Sequence, residues 1–115
     1  MYAQVTSIRV PLDNMGKLRQ LVEEQYLPVV RARPGFLAAY LLEQVDDPDC
    51  AQMIVFWDSH AAVESFHRTG LLESSVQAIA AHLPGVQVHR QGYLVQLSAR
   101  GQLTNHQTAV AHIAG

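Results

Sequence analysis

Residues 33–66 read "RPGFLAAYLLEQVDDPDCAQMIVFWDSHAAVESF". Pro34 and Gly35 stop whatever helix precedes them, because Pro removes an N–H and Gly readily leaves helical backbone angles. "FLAAYLLEQV" (36–45) is almost continuously apolar, as expected for a strand covered on both faces. "DDPD" (46–49) is turn chemistry, and "AQMIVFW" (51–57) is a second strand. Ser59 then offers a helix N-cap. Two strands joined by a tight turn, with a helix ending before them and another starting after, form the centre of a symmetrical unit.

Working outward completes that unit. Residues 2–10, "YAQVTSIRV", carry strand formers. After "PLDN", where Asp13 or Asn14 is a possible cap, apolar residues fall at 15, 18, 21, 22, 29 and 30 with Tyr26 between them. This is helical spacing, and Pro28 is expected to kink the helix or start a second segment. Beyond the central stretch, Gly70 interrupts a second helix. Leu72, Val76, Ile79 and Leu83 continue it as one stripe, and "LPG" (83–85) closes it. Residues 86–97 read as a last strand, in which Gly92 is expected to mark a bulge. The order β-α-β-β-α-β predicts a ferredoxin-like α+β fold, a four-stranded antiparallel sheet with its helices on one face.

Composition bounds the rest. The chain has 115 residues, 49% apolar and 16% charged, with a net charge of -2. One modest domain is expected, over 1–98, with 99–115 a tail packed on its own or a partner subunit. The excess of apolar residues points to a surface buried in a second copy. No basic patch indicates nucleic acid, and no apolar run approaches the ~20 residues of a membrane span. "MYAQVTSIRV" has no signal-peptide pattern, and one cysteine, Cys50, allows no intrachain disulfide. A cytoplasmic protein is the expectation.

With these elements placed, "RPGFLAAYLLEQ", the strand-end Trp57, "WDSHAAVESF" and the later Leu-Pro-Gly resemble the antibiotic biosynthesis monooxygenase family of dimeric α+β barrels. The resemblance spans roughly 2–97 and implies a homodimer with a pocket between sheet and helices. It also implies a cofactor-independent monooxygenase acting on a small aromatic or quinol-like substrate. A lyase, cyclase or isomerase on the same scaffold, or a non-enzymatic binding dimer, are the alternatives. The heme-degrading branch places a catalytic Trp and a heme-ligating His where this chain has Phe66 and Val76, so heme degradation is disfavoured. The quinone-forming enzymes keep a polar residue where this chain has Met53. No metal, flavin or nicotinamide signature is present, nor a Gly-rich phosphate loop, and no cofactor is expected.

The resemblance makes Trp57, Phe66, Met53 and Tyr26 the expected substrate pocket. Tyr40, in phase with Phe36 along its strand, is expected to face that pocket as a donor. His60, Glu64 and His67 share one side of the second helix. But His60 and His67 are two turns apart, roughly 10 Å along the axis, too far for one ion at metal–nitrogen distances of about 2 Å. His60 and Glu64 lie outside the apolar arc and are expected in solvent. His67 lies at its border and is the expected base, since its ordinary pKa is near 6.5.

Overall fold

The computed structural model describes residues 1–101. Most of the expected tail, residues 102–115, lies outside the described residues. The elements are β1 (Tyr2–Arg9), α1 (Met15–Leu21), a π-helical turn (Val22–Tyr26), α2 (Leu27–Arg31), β2 (Phe36–Glu43), β3 (Cys50–Trp57), α3 (His60–Arg68), α4 (Leu71–His82) and β4 (Gln87–Leu94). All strand pairs are antiparallel, in the order β2-β3-β1-β4. The expected α+β, ferredoxin-like order is therefore present.

Pro28 acts as the sequence predicts, with an added detail. It lacks an N–H, so Glu24 loses its usual helical donor. The chain widens just before it, and the Leu27 N–H reaches back to the Val22 carbonyl. Tyr26 sits in this widened turn, and α2 begins with Pro28 in its first turn. At the second helix, the Ser59 hydroxyl accepts the Ala62 N–H at 3.2 Å, capping α3. Gly70, at φ 77°, separates α3 from α4. Asn14 occupies the first cap position without capping; its side-chain amide donates instead to the Leu12 carbonyl.

The register arranges the helix-covered face of the sheet in rows. Paired residues share a face, so one row reads Leu41–Met53–Thr6–Arg90 and the next Ala39–Val55–Gln4–Gly92. The row beyond reads Phe36–Trp57–Tyr2–Leu94. The core is built on these rows, with Leu18, Val22, Val30, Val63, Phe66, Leu72 and Leu83 packing down from the helices.

Two sequence expectations are corrected here. Gly92 is not a bulge, since β4 pairs with β1 without a break. It is glycine because the Tyr2 ring lies where a Cβ would stand. The bulge is in β2 instead, between Phe36 and Ala38. The extra residue, Leu37, reverses the alternation. Phe36 stays with Trp57 on the helix side, whereas Tyr40 pairs with Ile54 on the open face.

Candidate active site

The helix side of the sheet contains a cavity of about 60 Å³. Its floor is the Met53–Thr6–Arg90 row with Ile8, Val86 and Val88, and its roof comes from the first helical segment and α4. Over the cavity, α4 packs on the π-helical turn, α2 and α3. Aliphatic Val22, Val76 and Ile79 do not fill the gap. A larger concavity, about 500 Å³, lies on the opposite, open face, beside Arg9, Leu42, Cys50 and His89. It has no roof, and a site that excludes water needs one.

The lining surface is almost wholly apolar, and among the lining residues Thr6, Tyr26 and Arg90 carry hydrogen-bond donors. Burial pushes the Tyr26 hydroxyl up to about 12, with Arg90 drawing it part of the way back. It therefore stays protonated and acts as a donor at any physiological pH. Arg90 is half-buried, and its Nη1 lies 3.6 Å from a carboxylate oxygen of Glu73, an exposed residue in the first turn of α4.

The residues expected from sequence divide three ways. Tyr26 and Met53 line the cavity. Trp57 and Phe66 do not: they are 0% and 1% exposed and stack on one another with centroids 5.4 Å apart. Phe36 meets Trp57 edge-on at 6.1 Å. These rings fill their end of the core, and the buried Trp57 indole N–H finds no partner among the described residues. Tyr40 is a correction. The β2 bulge turns it onto the open face, where it is 55% exposed and packs edge-on against Phe56.

His67 stands one row from the cavity. The Gln4 side-chain amide donates to its Nε2 at 3.2 Å, which leaves the ring proton on Nδ1 in that arrangement. Desolvation lowers its pKa, the Arg90 charge adds to this, and Glu73 and Glu64 oppose it. The ring is consequently neutral at pH 7. His60 and Glu64 are solvated, as expected, and pair loosely at 3.4 Å. The Cys50 thiol donates to Asp47, and burial together with that carboxylate raises its pKa, so it stays a thiol.

Sequence reading missed Thr6 and Arg90 as partners in one site. The signal for Arg90 was present: it is the charged residue in phase with Val86 and Val88. What the sequence lacked was the pairing of Arg90 with Thr6 across β1 and β4.

The profile of the antibiotic biosynthesis monooxygenase family matches residues 1–83. The chain belongs to this family. No curated protein sequence matches it significantly. Among solved structures, a Deinococcus radiodurans protein assigned to antibiotic biosynthesis monooxygenases is similar at a TM-score of 0.73 and 17% identity, over 89% of this chain and 99% of that one. SnoaB, a cofactor-independent oxygenase from Streptomyces nogalater, is similar at 0.70 and 17% identity, over 84% and 94%. A single-site mutant of MhuD, solved with two manganese protoporphyrins per active site, is similar at 0.65 and 22% identity, over 88% and 100%. At these identities the likeness establishes the fold. As for a porphyrin, Val76, which stands where the sequence comparison looked for a heme-ligating His, is an aliphatic wall of the cavity and offers no ligand atom.

Proposed function

We propose that this family member is a cofactor-independent monooxygenase acting on a small aromatic or quinol-like substrate bound in the helix-side cavity. The supporting observation is the cavity itself: almost wholly apolar walls between sheet and helices, with Thr6, Tyr26 and Arg90 among the lining residues. Such a site needs to take a phenolic proton and stabilise the resulting oxyanion. Arg90 and Thr6 stabilise the oxyanion, and the protonated Tyr26 donates to a second oxygen. His67 remains the proposed base, neutral at physiological pH, hydrogen-bonded to Gln4 and within the field of Arg90.

The substrate anion then gives one electron to O₂, forming a substrate radical and superoxide. Their recombination and protonation yield a hydroperoxide, and loss of water leaves a new carbonyl. The protein's part is to bind, deprotonate and shield.

A second copy is proposed to cover the open face, where Tyr40, Leu42 and Tyr93 are 55%, 47% and 50% exposed. Sedimentation at micromolar concentration is expected to show a dimer. Oxygen uptake with a panel of quinols and anthrones tests the activity. Uptake that tracks product and falls at least tenfold in Arg90→Gln is expected. Turnover without oxygen consumption would instead indicate acid–base chemistry of the lyase or isomerase kind.

A further inference from the structure

The lining of the cavity is one-sided in charge. Its polar lining residues are Thr6, Tyr26 and Arg90, and no acidic residue is among them. An Arg fork in an apolar setting is matched best by a planar carboxylate, which accepts two parallel N–H bonds. The size is equally restrictive. A volume of about 60 Å³ compares with roughly 10–15 Å³ for a single water. It is well below the roughly 150 Å³ of a cavity that admits benzene, so a single ring enters only as the roof gives, and a fused system is excluded first.

Arg90 also has a partner it can give up. Glu73 lies at 3.6 Å, beyond the separation of a good charged hydrogen bond, and its side chain is 67% exposed. With the Glu73 carboxylate in solvent, the pair holds weakly. Glu73 is in the first turn of α4, next to Leu72, and α4 contributes Leu72, Val76, Ile79 and Ala80 to the cavity roof. A ligand that takes Arg90 from Glu73 therefore loosens a tie between the roof and the floor as it enters.

We propose that the cavity selects monocyclic aromatic carboxylates, hydroxylated benzoates being the class, through exchange of Arg90 from Glu73 to the ligand carboxylate. This rests on the preceding reading for the location of the site, not for its reaction. It makes Arg90 the charge-selecting residue and Glu73 its competitor. Thr6 and Tyr26 serve the ring hydroxyl oxygens.

The test is a calorimetric titration of the full chain with benzoate and with benzamide, its neutral near-isostere, followed in parallel by the methyl resonances of Val76 and Ile79. Benzoate is expected to bind roughly tenfold or more tightly than benzamide, and to weaken as salt rises. Arg90→Gln is expected to abolish the preference, and Glu73→Gln to strengthen benzoate about threefold while leaving benzamide unchanged. Equal binding of the two probes, no binding of either, or a Glu73→Gln variant with unaltered benzoate affinity would each overturn the proposal. The last criterion holds even if Arg90→Gln does not fold. Because no step depends on oxygen, a failed uptake assay leaves this result standing. A cavity preferring benzamide would remove the proposal without touching oxygenase activity on neutral quinols.

Discussion

At the Phe36–Trp57–Tyr2 row, the rings of Phe36, Trp57 and Phe66 meet and leave Trp57 with no exposure. Two rows along β1, Thr6 stands between Met53 and Arg90 at the floor of the cavity. Both rows belong to one face of one sheet. Large rings fill space and so anchor the helices at the first. At the second, aliphatic side chains leave a cavity, and Thr6, Tyr26 and Arg90 are among its lining residues. The most conspicuous residue of the sequence, Trp57, thus supports the site without lining it.

The largest expected effect breaks the filled end. Phe66→Ala removes a fully buried ring beside Trp57 and should cost about 3–5 kcal/mol. Urea denaturation is expected to show this as a lower midpoint at unchanged slope. A change below about 1 kcal/mol would mean the rings are not the anchor, and the contrast between the rows would collapse.

Gly35→Ala comes next, because it strikes the corner that feeds the bulged strand. Gly35 has φ 86°, and an added Cβ would stand 2.5 Å from the Ala62 Cβ and 2.8 Å from Asp58 Oδ1. The backbone penalty alone is about 1–3 kcal/mol. A thermal melt reads the loss. The β2 bulge puts Tyr40 on the open face, so a Tyr40→Phe variant is expected to keep any helix-side ligand binding intact.

That corner also shows where sequence reading stopped. The strand, the helix stop at Pro34–Gly35, the Ser59 cap and the break at Gly70 are all local chemistry, and each is visible in the residues themselves. Strand phase is not local. One extra residue at Leu37 turned Tyr40 to the other face, and no composition cue separates Leu37 from its apolar neighbours. The site was harder still, since Thr6, Tyr26, Met53 and Arg90 come from three strands and a widened helical turn. Their meeting around one cavity depends on strand register and on the placement of α4 over the sheet. Tyr26 and Met53 were reachable through family resemblance. Thr6 with Arg90 required the pairing.

Tyr26→Phe sharpens the contrast from the cavity side. It keeps the ring in the core and removes one donor. The midpoint of unfolding should move little, whereas kcat/KM with a quinol substrate should fall about tenfold, equivalent to about 1.4 kcal/mol. Loss of stability without loss of turnover would assign Tyr26 to packing, as with Trp57.

The smallest effect concerns His67 of α3, which meets Gln4 on the row between the two. Its folded pKa is lowered by desolvation and by Arg90, below the ordinary value near 6.5. The unfolded chain therefore binds more protons between those two values, and stability rises with pH through that window. The contribution is fully present above about pH 6.5, and is lost as pH falls toward the lowered folded pKa. Because His67 is exposed at the helix surface, solvent screening keeps the effect modest. The difference in urea midpoint between wild type and His67→Gln should accordingly shift in favour of the variant on going from about pH 7.5 to about pH 5.5. The other histidines cancel in that difference. Arg90→Gln should also raise the His67 titration seen by NMR, since it removes a neighbouring positive charge. A His67 resonance that titrates at its ordinary value in both proteins would uncouple the imidazole from the cavity. The proposed base would then have to be sought among other groups.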